Sequence, residues 1–383
     1  MRNIIPAYAC HILSVLNKYG FDAYLVGGCV RDTVMGKKPN DWDITTSALP
    51  GEIEKVFPKT APTGIKYGTV TVFRGNGSAE VTTFRTDGEY IESRKPENVS
   101  FVSDLREDLV RRDFTMNAMA MDKDGKITDL FGGKKDIDRK LIRCVGEPDR
   151  RFEEDALRML RAFRFSAQLG FEIEDETLAA IERNAHLASK LSGERVREET
   201  EKMLLSPAPE KLFEAIKMGL YEKHFPKGVK SLENLKKLPK DRLLRWTALC
   251  AAAGMKKVPE TLKTDGKTAS VVKKALEIFE AGLPKTQWEL RYLAGIHGEE
   301  TVKCAAAAES SKTYRSVLKA LKSGEIIGPS ELGINGDDLA ELGVQPGPEM
   351  GRMINGFLCI VNREPKKNEK SVLMTMAKEL TER

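Results

Sequence analysis

The chain is short of histidine and cysteine, and those it has are scattered. Its six cysteines, Cys10, Cys29, Cys144, Cys250, Cys304 and Cys359, stand far apart with no C-x-x-C pair. That excludes a zinc ribbon and a disulfide framework, and points to a reducing, cytoplasmic setting. The four histidines, His11, His186, His224 and His297, include no His-Asp pair, which excludes a phosphohydrolase centre built on one. No run of 18 apolar residues occurs, and Met1 to Pro6 contains no signal-peptide hydrophobic segment, so no membrane span is predicted. No internal repeat or low-complexity tract stands out. Net charge is only +5 over 383 residues, so an RNA partner would have to be met by clustered basic side chains.

What is present is the composition of a soluble globular protein, 41% hydrophobic and 31% charged, long enough for two to four domains. Residues 1–145 mix helical and extended patterns and read as an α/β head. A helix is predicted at Ala7–Tyr19, a strand ending at Val26, and a strand at Asp41–Thr45. A short helix near Gly51–Phe57 precedes extended stretches at Gly68–Phe73 and Ala79–Arg85. A further helix carries Asp108–Met119, and a strand pair at Ala120–Thr128 turns at Asp124-Gly125. After Asp149 apolar residues recur at helical spacing. One long helix is predicted over Arg150–Leu169, ended by Gly170, with others over 175–186, 193–205, 208–218, 241–253, 268–281, 287–296 and 311–322. Two more follow the turn-rich segment Gly343–Gly351. The lysine-rich stretches 226–240 and 255–267 read as loops.

The richest chemistry lies at Asp41-Trp42-Asp43. On a strand, residues two apart share a face, so both carboxylates can meet one site, and paired hard oxygen ligands suit Mg²⁺ better than Zn²⁺. Just upstream, Gly27-Gly28 reads as a tight turn between a buried strand and a helix, a geometry that brings backbone amides close to a phosphate. Arg111-Arg112-Asp113 supplies guanidinium forks suited to a triphosphate. Next to the acidic pair Glu107 and Asp108, the plainer reading of these arginines is solvated helix charges. Asp155 and Arg158, three apart on the predicted long helix, face the same way. One acceptor beside one donor matches the amino and ring-nitrogen edge shared by cytosine and adenine, and mismatches uracil and guanine. Arg161 and Arg164 continue along that side.

In order and spacing, Gly27-Gly28-x-Val-Arg31-Asp32, Asp41-x-Asp43, Arg111-Arg112-Asp113-Phe-Thr-x-Asn117-Ala, Asp129-x-x-x-Gly133, Glu154-Asp155-x-x-Arg158 and Glu194-Arg195 resemble a class II bacterial tRNA nucleotidyltransferase, the CCA-adding enzyme. The match is dense over residues 1 to about 205. Beyond them it rests on helical character and the Gly336-Asp337-Asp338-Leu339 and Pro346-Gly347-Pro348 turns. The resemblance implies a polymerase-beta-like α/β head (1–145), a helical neck with the base-recognition helix (146–205), a helical body (206–310) and a tRNA-binding tail (311–383). It implies template-independent addition of CCA to the tRNA 3′ end from CTP and ATP. By it Asp41 and Asp43 hold Mg²⁺, and Gly28, Arg31 and Arg112 contact the incoming nucleotide. Asp155 and Arg158 read the base, Arg161 and Arg164 help bind the nucleotide, and Glu194-Arg195 braces the neck.

Glu80 is a candidate third carboxylate, with an exposed strand residue as the plainer reading. Cys29 reads as a small buried filler. The polar segment Asp87–Asn98 is a candidate moving loop, and Lys227, Lys230, Lys236, Lys237, Lys240, Lys366, Lys367 and Lys370 are candidates for tRNA phosphates. The chain is expected as a monomer or homodimer. Rival readings are a bacterial poly(A) polymerase, an enzyme adding only A or only CC, and a catalytically silent RNA-binding scaffold. The full-length stretch from Thr86 to Pro96 speaks against CC-only addition, and the intact carboxylate pair against the scaffold.

Overall fold

The computed structural model describes residues 4–87, 99–225 and 228–382. The loop reading for 88–98 and the reading of Lys227 lie outside the described residues. The chain divides into two compact units, residues 1–203 with 214–223, and residues 204–213 with 224–383.

The first unit opens with α1 (Ala7–Lys18), whose Ile12, Leu13 and Leu16 are fully buried. Then follow β1 (Ala23–Val26), α2 (Gly28–Val34), β2 (Asp43–Thr46), α3 (Pro50–Val56), β3 (Thr60–Gly64), β4 (Thr69–Arg74) and β5 (Gly77–Thr83). A small hairpin pairs β6 (Arg85–Asp87) with β7 (Val99–Phe101). After it come α4 (Leu105–Val110), β8 (Met119–Met121), β9 (Ile127–Asp129), α5 (Gly133–Arg139) and β10 (Leu141–Ile142). Seven strands form one mixed sheet in the order β3-β4-β5-β2-β1-β8-β9. β2 lies at its centre, antiparallel to β1 and parallel to β5, with Ile44 opposite Val81. That register puts Asp43 at the end of β2 beside Glu80 on β5.

The helical remainder of this unit is α6 (Pro148–Glu154), α7 (Leu157–Leu169), the two-residue β11 (Glu172–Ile173), α8 (Asp175–Asn184) and α9 (Gly193–Leu204). Three expectations need correction. Asp41 precedes β2 and lies outside the strand. The helix expected over Asp108–Met119 ends at Val110, and a single 3-10 turn at Thr115–Asn117 follows. The long helix expected over Arg150–Leu169 is two helices, broken where Asp155 adopts an extended backbone (φ −145°, ψ 100°). The apolar pattern runs through this break because Phe152, Ala156 and Met159 are all buried on either side of it. Gly170, at φ +70°, ends α7 as its left-handed cap.

In the second unit the helices are α10 (Lys211–Lys217, which straddles the division), α11 (Glu233–Lys237), α12 (Arg242–Ala252), α13 (Gly266–Ala281), α14 (Gln287–His297), α15 (Glu299–Glu309), α16 (Ser311–Leu321), α17 (Gly336–Glu341), α18 (Pro348–Arg363) and α19 (Lys370–Thr381). α15 packs against α12, α13 and α16. Its Cys304, Ala305, Ala306 and Ala307 are fully buried, small side chains that let three helices approach closely. Sequence reasoning left this helix out, because alanine adds little to an apolar periodicity. A separate apolar cluster joins Tyr292 of α14 to Phe357, Leu358 and Val361 of α18 and Leu373 of α19. No described helix is long and apolar enough to cross a membrane.

Candidate active site

Asp41 and Asp43 are both exposed, while Trp42 between them is buried. The alternation sends the two carboxylates to one side even though only Asp43 belongs to β2. Burial raises the Asp43 carboxyl to about 6, with help from the charges of Glu80 and then Asp41, and Arg112 opposes the rise. Asp43 keeps contact with solvent, so the desolvation comes from the protein packed around a cleft and not from a sealed site. Glu80 is exposed, lines the neighbouring cavity and repels Asp43. Asp41 and Glu80 thus each place a like charge near Asp43. Among the described residues, no group of three or more His, Cys, Asp or Glu is placed closely enough to hold a metal ion.

Beside them lies a cavity of about 480 Å³ lined by Thr63, Gly64, Thr69 and Glu80 from the sheet, by Tyr67 of the turn between β3 and β4, by Arg85 of the β6–β7 hairpin, and by Arg111, Arg112 and Asp113 after α4. Asp155, Leu157, Arg158, Arg161 and Arg195 close it. Of the residues named from sequence, Glu80, Arg111, Arg112, Asp113, Asp155, Arg158, Arg161 and Arg195 line this cavity. Asp41, Asp43, Gly28, Arg31 and Arg164 are not in its wall.

The arginine wall is held from behind. Asp108 is fully buried and accepts from Arg111 at 2.7 Å and Arg112 at 3.2 Å, and it also takes a 3.2 Å bond from Thr45 on β2. Burial alone would raise its pKa, but the two guanidinium groups hold it below the usual carboxylate range. The two arginines are thus tied to a buried acid and are not free solvated charges. Arg112 Nε is buried with no partner, a donor aimed at nothing in the protein. Gly27, at φ +75°, admits this arrangement: a Cβ there would lie 3.3 Å from Arg112 Nη1. Arg31, on α2, is buried and bonded to Asp32 and to Asn117 Oδ1 at 2.9 Å.

The break at Asp155 re-sorts the expected pair. Asp155 Oδ1 accepts from the Leu157 amide at 3.1 Å and Oδ2 pairs with Arg195 at 2.8 Å. Arg158 pairs with Glu154 at 2.9 Å and donates to the Arg151 and Arg111 carbonyls. The two still meet in the cavity, but as members of different ion pairs and not as i,i+3 neighbours on one helix. Arg195 Nη1, like Arg112 Nε, is buried without a partner. Arg161 forks onto Asp113 at 2.8 and 2.6 Å. Arg164 is buried against Glu199 at 2.5 Å and Gln168 at 2.9 Å. Cys29 is buried and burial pushes its thiol up to about 12, which makes it inert filler. Arg85, Thr63, Tyr67 and Thr69 had no role assigned from sequence. Extended stretches are predicted at Thr69 and Arg85 but not at Thr63, and Tyr67 lies in a 3-10 turn; which side chains face the cavity depends on register.

Three family models match the chain, "Poly A polymerase head domain" over residues 23–143, "Probable RNA and SrmB- binding site of polymerase A" over 170–232, and tRNA nucleotidyltransferase domain 2 over 239–377. The chain is 38% identical over 382 residues to the CCA-adding enzyme of Limosilactobacillus fermentum, covering 96% of each. It is 40% identical over 380 residues to that of Geobacillus thermodenitrificans, covering 94% of each. Its fold matches the crystal structure of the Bacillus stearothermophilus CCA-adding enzyme in complex with CTP, with a TM-score of 0.83, 34% identity, and 98% and 97% of the two chains covered. With a polymerase-type head, a helical remainder and this similarity along nearly its whole length, the chain belongs to the CCA-adding enzymes.

Proposed function

We propose that this enzyme adds C, C and A in turn to the 3′ end of tRNA from CTP and ATP, without a nucleic-acid template, releasing one pyrophosphate per addition. The observation that carries this reading is the arginine-lined cavity, with Asp155 and Arg158 in one wall and Glu80, the neighbour of Asp43, in another. The relative solved with CTP supports it.

In this reading the terminal RNA hydroxyl attacks the α-phosphorus of the nucleotide. The new O–P bond forms as the bond to the bridging oxygen breaks, the electron pair leaves with pyrophosphate, and the hydroxyl proton passes to solvent. Asp41, Asp43 and Glu80 are the residues that would hold Mg²⁺. The ion, when bound, neutralises charge on the phosphates and on the attacking oxygen. Arg112 and Arg195 line the cavity and offer charged donors to the nucleotide. Asp108 keeps Arg112 in place without reorganisation during the reaction. Asp155, fixed by Arg195 and the Leu157 amide, presents an acceptor. Arg158, fixed by Glu154 and two carbonyls, presents a donor. Together they match the edge common to cytosine and adenine, and positioning and charge complementarity supply the rate without a covalent enzyme intermediate. The substrate tRNA and the six free cysteines fit a cytoplasmic enzyme.

The test is nucleotide incorporation into tRNA lacking CCA, with each triphosphate offered separately. Addition of C twice and then A supports the proposal. Incorporation of UMP or GMP at comparable rates contradicts the base-reading part of it.

A further inference from the structure

Three guanidinium groups converge on the ring of Phe165. Cζ of Arg164 lies 3.8 Å from the ring centroid, and those of Arg31 and Arg161 each lie 5.3 Å away. All three are within the range, about 6 Å, in which a cation is attracted to an aromatic face. Phe114 meets the same ring edge-on, with centroids 5.9 Å apart at 87°. Phe165 is 5% exposed, so these contacts are shielded from water.

Three like charges around one ring repel one another, and each is answered at its edge by another group. Arg31 reaches Asp32 at 2.8 Å, Arg161 reaches Asp113 at 2.6 Å, and Arg164 reaches Glu199 at 2.5 Å. The acids come from different places: Asp32 on α2, Asp113 after α4, and Glu199 on α9. Asp32 holds Arg31 within α2, whereas Asp113 and Glu199 tie Arg161 and Arg164 of α7 to other elements. Asn117 accepts from Arg31 and donates to Asp113, which joins Arg31 to Arg161 at their edges, and the ring meets the faces of all three cations directly. Arg161 is in the cavity wall, and Arg31 Nη2 lies 3.6 Å from where a Cβ on Gly28 would stand. Phe165 itself does not reach the cavity. A leucine would fill much of its volume but would offer no negative face to the cations.

We infer that Phe165 is a positioning residue for nucleotide binding, whose π face holds Arg161 of α7 and Arg31 of α2 in register for the triphosphate. The inference rests on the reaction proposed above and deepens it. A graded test replaces Phe165 in the full-length enzyme with mono-, di- and trifluorinated phenylalanine, which keep the shape of the ring and progressively cancel its negative face. Phe165→Leu serves as the non-aromatic end point. Michaelis constants for CTP and ATP should climb along the series, to about tenfold for the trifluorinated ring, with kcat within about twofold and the melting temperature nearly constant. A flat series, or a rise seen only in Phe165→Leu and matched by reduced thermal stability, would overturn the inference and leave the ring as packing. If the unmodified enzyme adds no nucleotide to tRNA, the proposed reaction fails. The ring is then judged by calorimetric ATP dissociation constants across the same series, and the same climb or flatness decides.

Discussion

Asp155 takes Arg195 as its ion-pair partner at 2.8 Å, across 40 positions of sequence. Arg158, three residues away from Asp155, pairs instead with Glu154 at 2.9 Å. The break between α6 and α7 creates this division. It leaves an acceptor and a donor side by side in one cavity without letting them neutralise each other, as a direct pair would.

Base selection should therefore depend on both residues and on their separate supports. A site built to hydrogen-bond a polar edge rejects a mismatch by roughly 10⁴-fold, because its own groups are otherwise left unpaired. Asp155→Asn with Arg158→Gln should lower CTP and ATP incorporation at least about tenfold and narrow the gap to UTP and GTP. Arg195→Met should weaken CTP and ATP use while the order of preference survives. Single-nucleotide incorporation with all four triphosphates decides. An unchanged preference in the double variant would place specificity elsewhere.

The carboxylates give a second prediction. Asp41→Ala or Asp43→Ala should abolish addition, and Glu80→Gln should impair it, each with tRNA affinity nearly intact. Mg²⁺ binding to the parent, followed by calorimetry, should weaken below pH 6. There Asp43, raised to about 6, takes up a proton in competition with the ion. Near-normal activity in either alanine variant would end the metal assignment.

Asp113 provides a pH test of the fold. Burial alone would raise its pKa, but the Arg161 guanidinium, the Asn117 amide and the Phe114 N–H hold it at about 2. The folded value lies below the ordinary one, so its contribution is present above pH 4 and disappears as pH falls through 2. Its full size is about 2 kcal/mol. Acid denaturation of the parent should show this loss between pH 4 and 2, and Asp113→Asn should remove that part of the slope. An identical slope in both proteins would contradict the assignment.

For tRNA, the structure narrows the lysine candidates. Lys236 pairs with Glu210, Lys367 with Glu364, and Lys370 with Asp338 at 2.5 Å. Lys230, Lys237, Lys240 and Lys366 are exposed and make no ion pair among the described residues. Changing all four to glutamate should weaken tRNA binding and flatten its salt dependence, by close to one unit of log–log slope for each phosphate no longer neutralised. Deleting residues 311–383 is a poorer test, because α18 packs on α14 and its removal would uncover the apolar cluster there. Unchanged affinity and slope in the glutamate variant would exclude these lysines.

Local signals carried most of the head. Gly27-Gly28, the Asp41–Asp43 spacing and the arginine pair could all be placed from the sequence, because strand alternation and turn chemistry act over a few residues. What stayed hidden was set by distant partners. No local pattern shows that Asp108 would be sealed beneath Thr45, or that Arg195 would hold Asp155. The break at Asp155 was masked by an apolar pattern continuing across it. For Glu80 the sequence left open a third carboxylate or an exposed strand residue, and its place next to Asp43 follows from the β2–β5 register, which no local pattern shows.

The most direct measurement offers three tRNAs, ending before CCA, after C and after CC, each with CTP alone or ATP alone. The account predicts C addition to the first two, A addition to the third, and little of the reverse. Addition of A only to the CC-ended tRNA, with CTP unused on all three, would show an A-adding enzyme and contradict it. So would untemplated runs of A on every end.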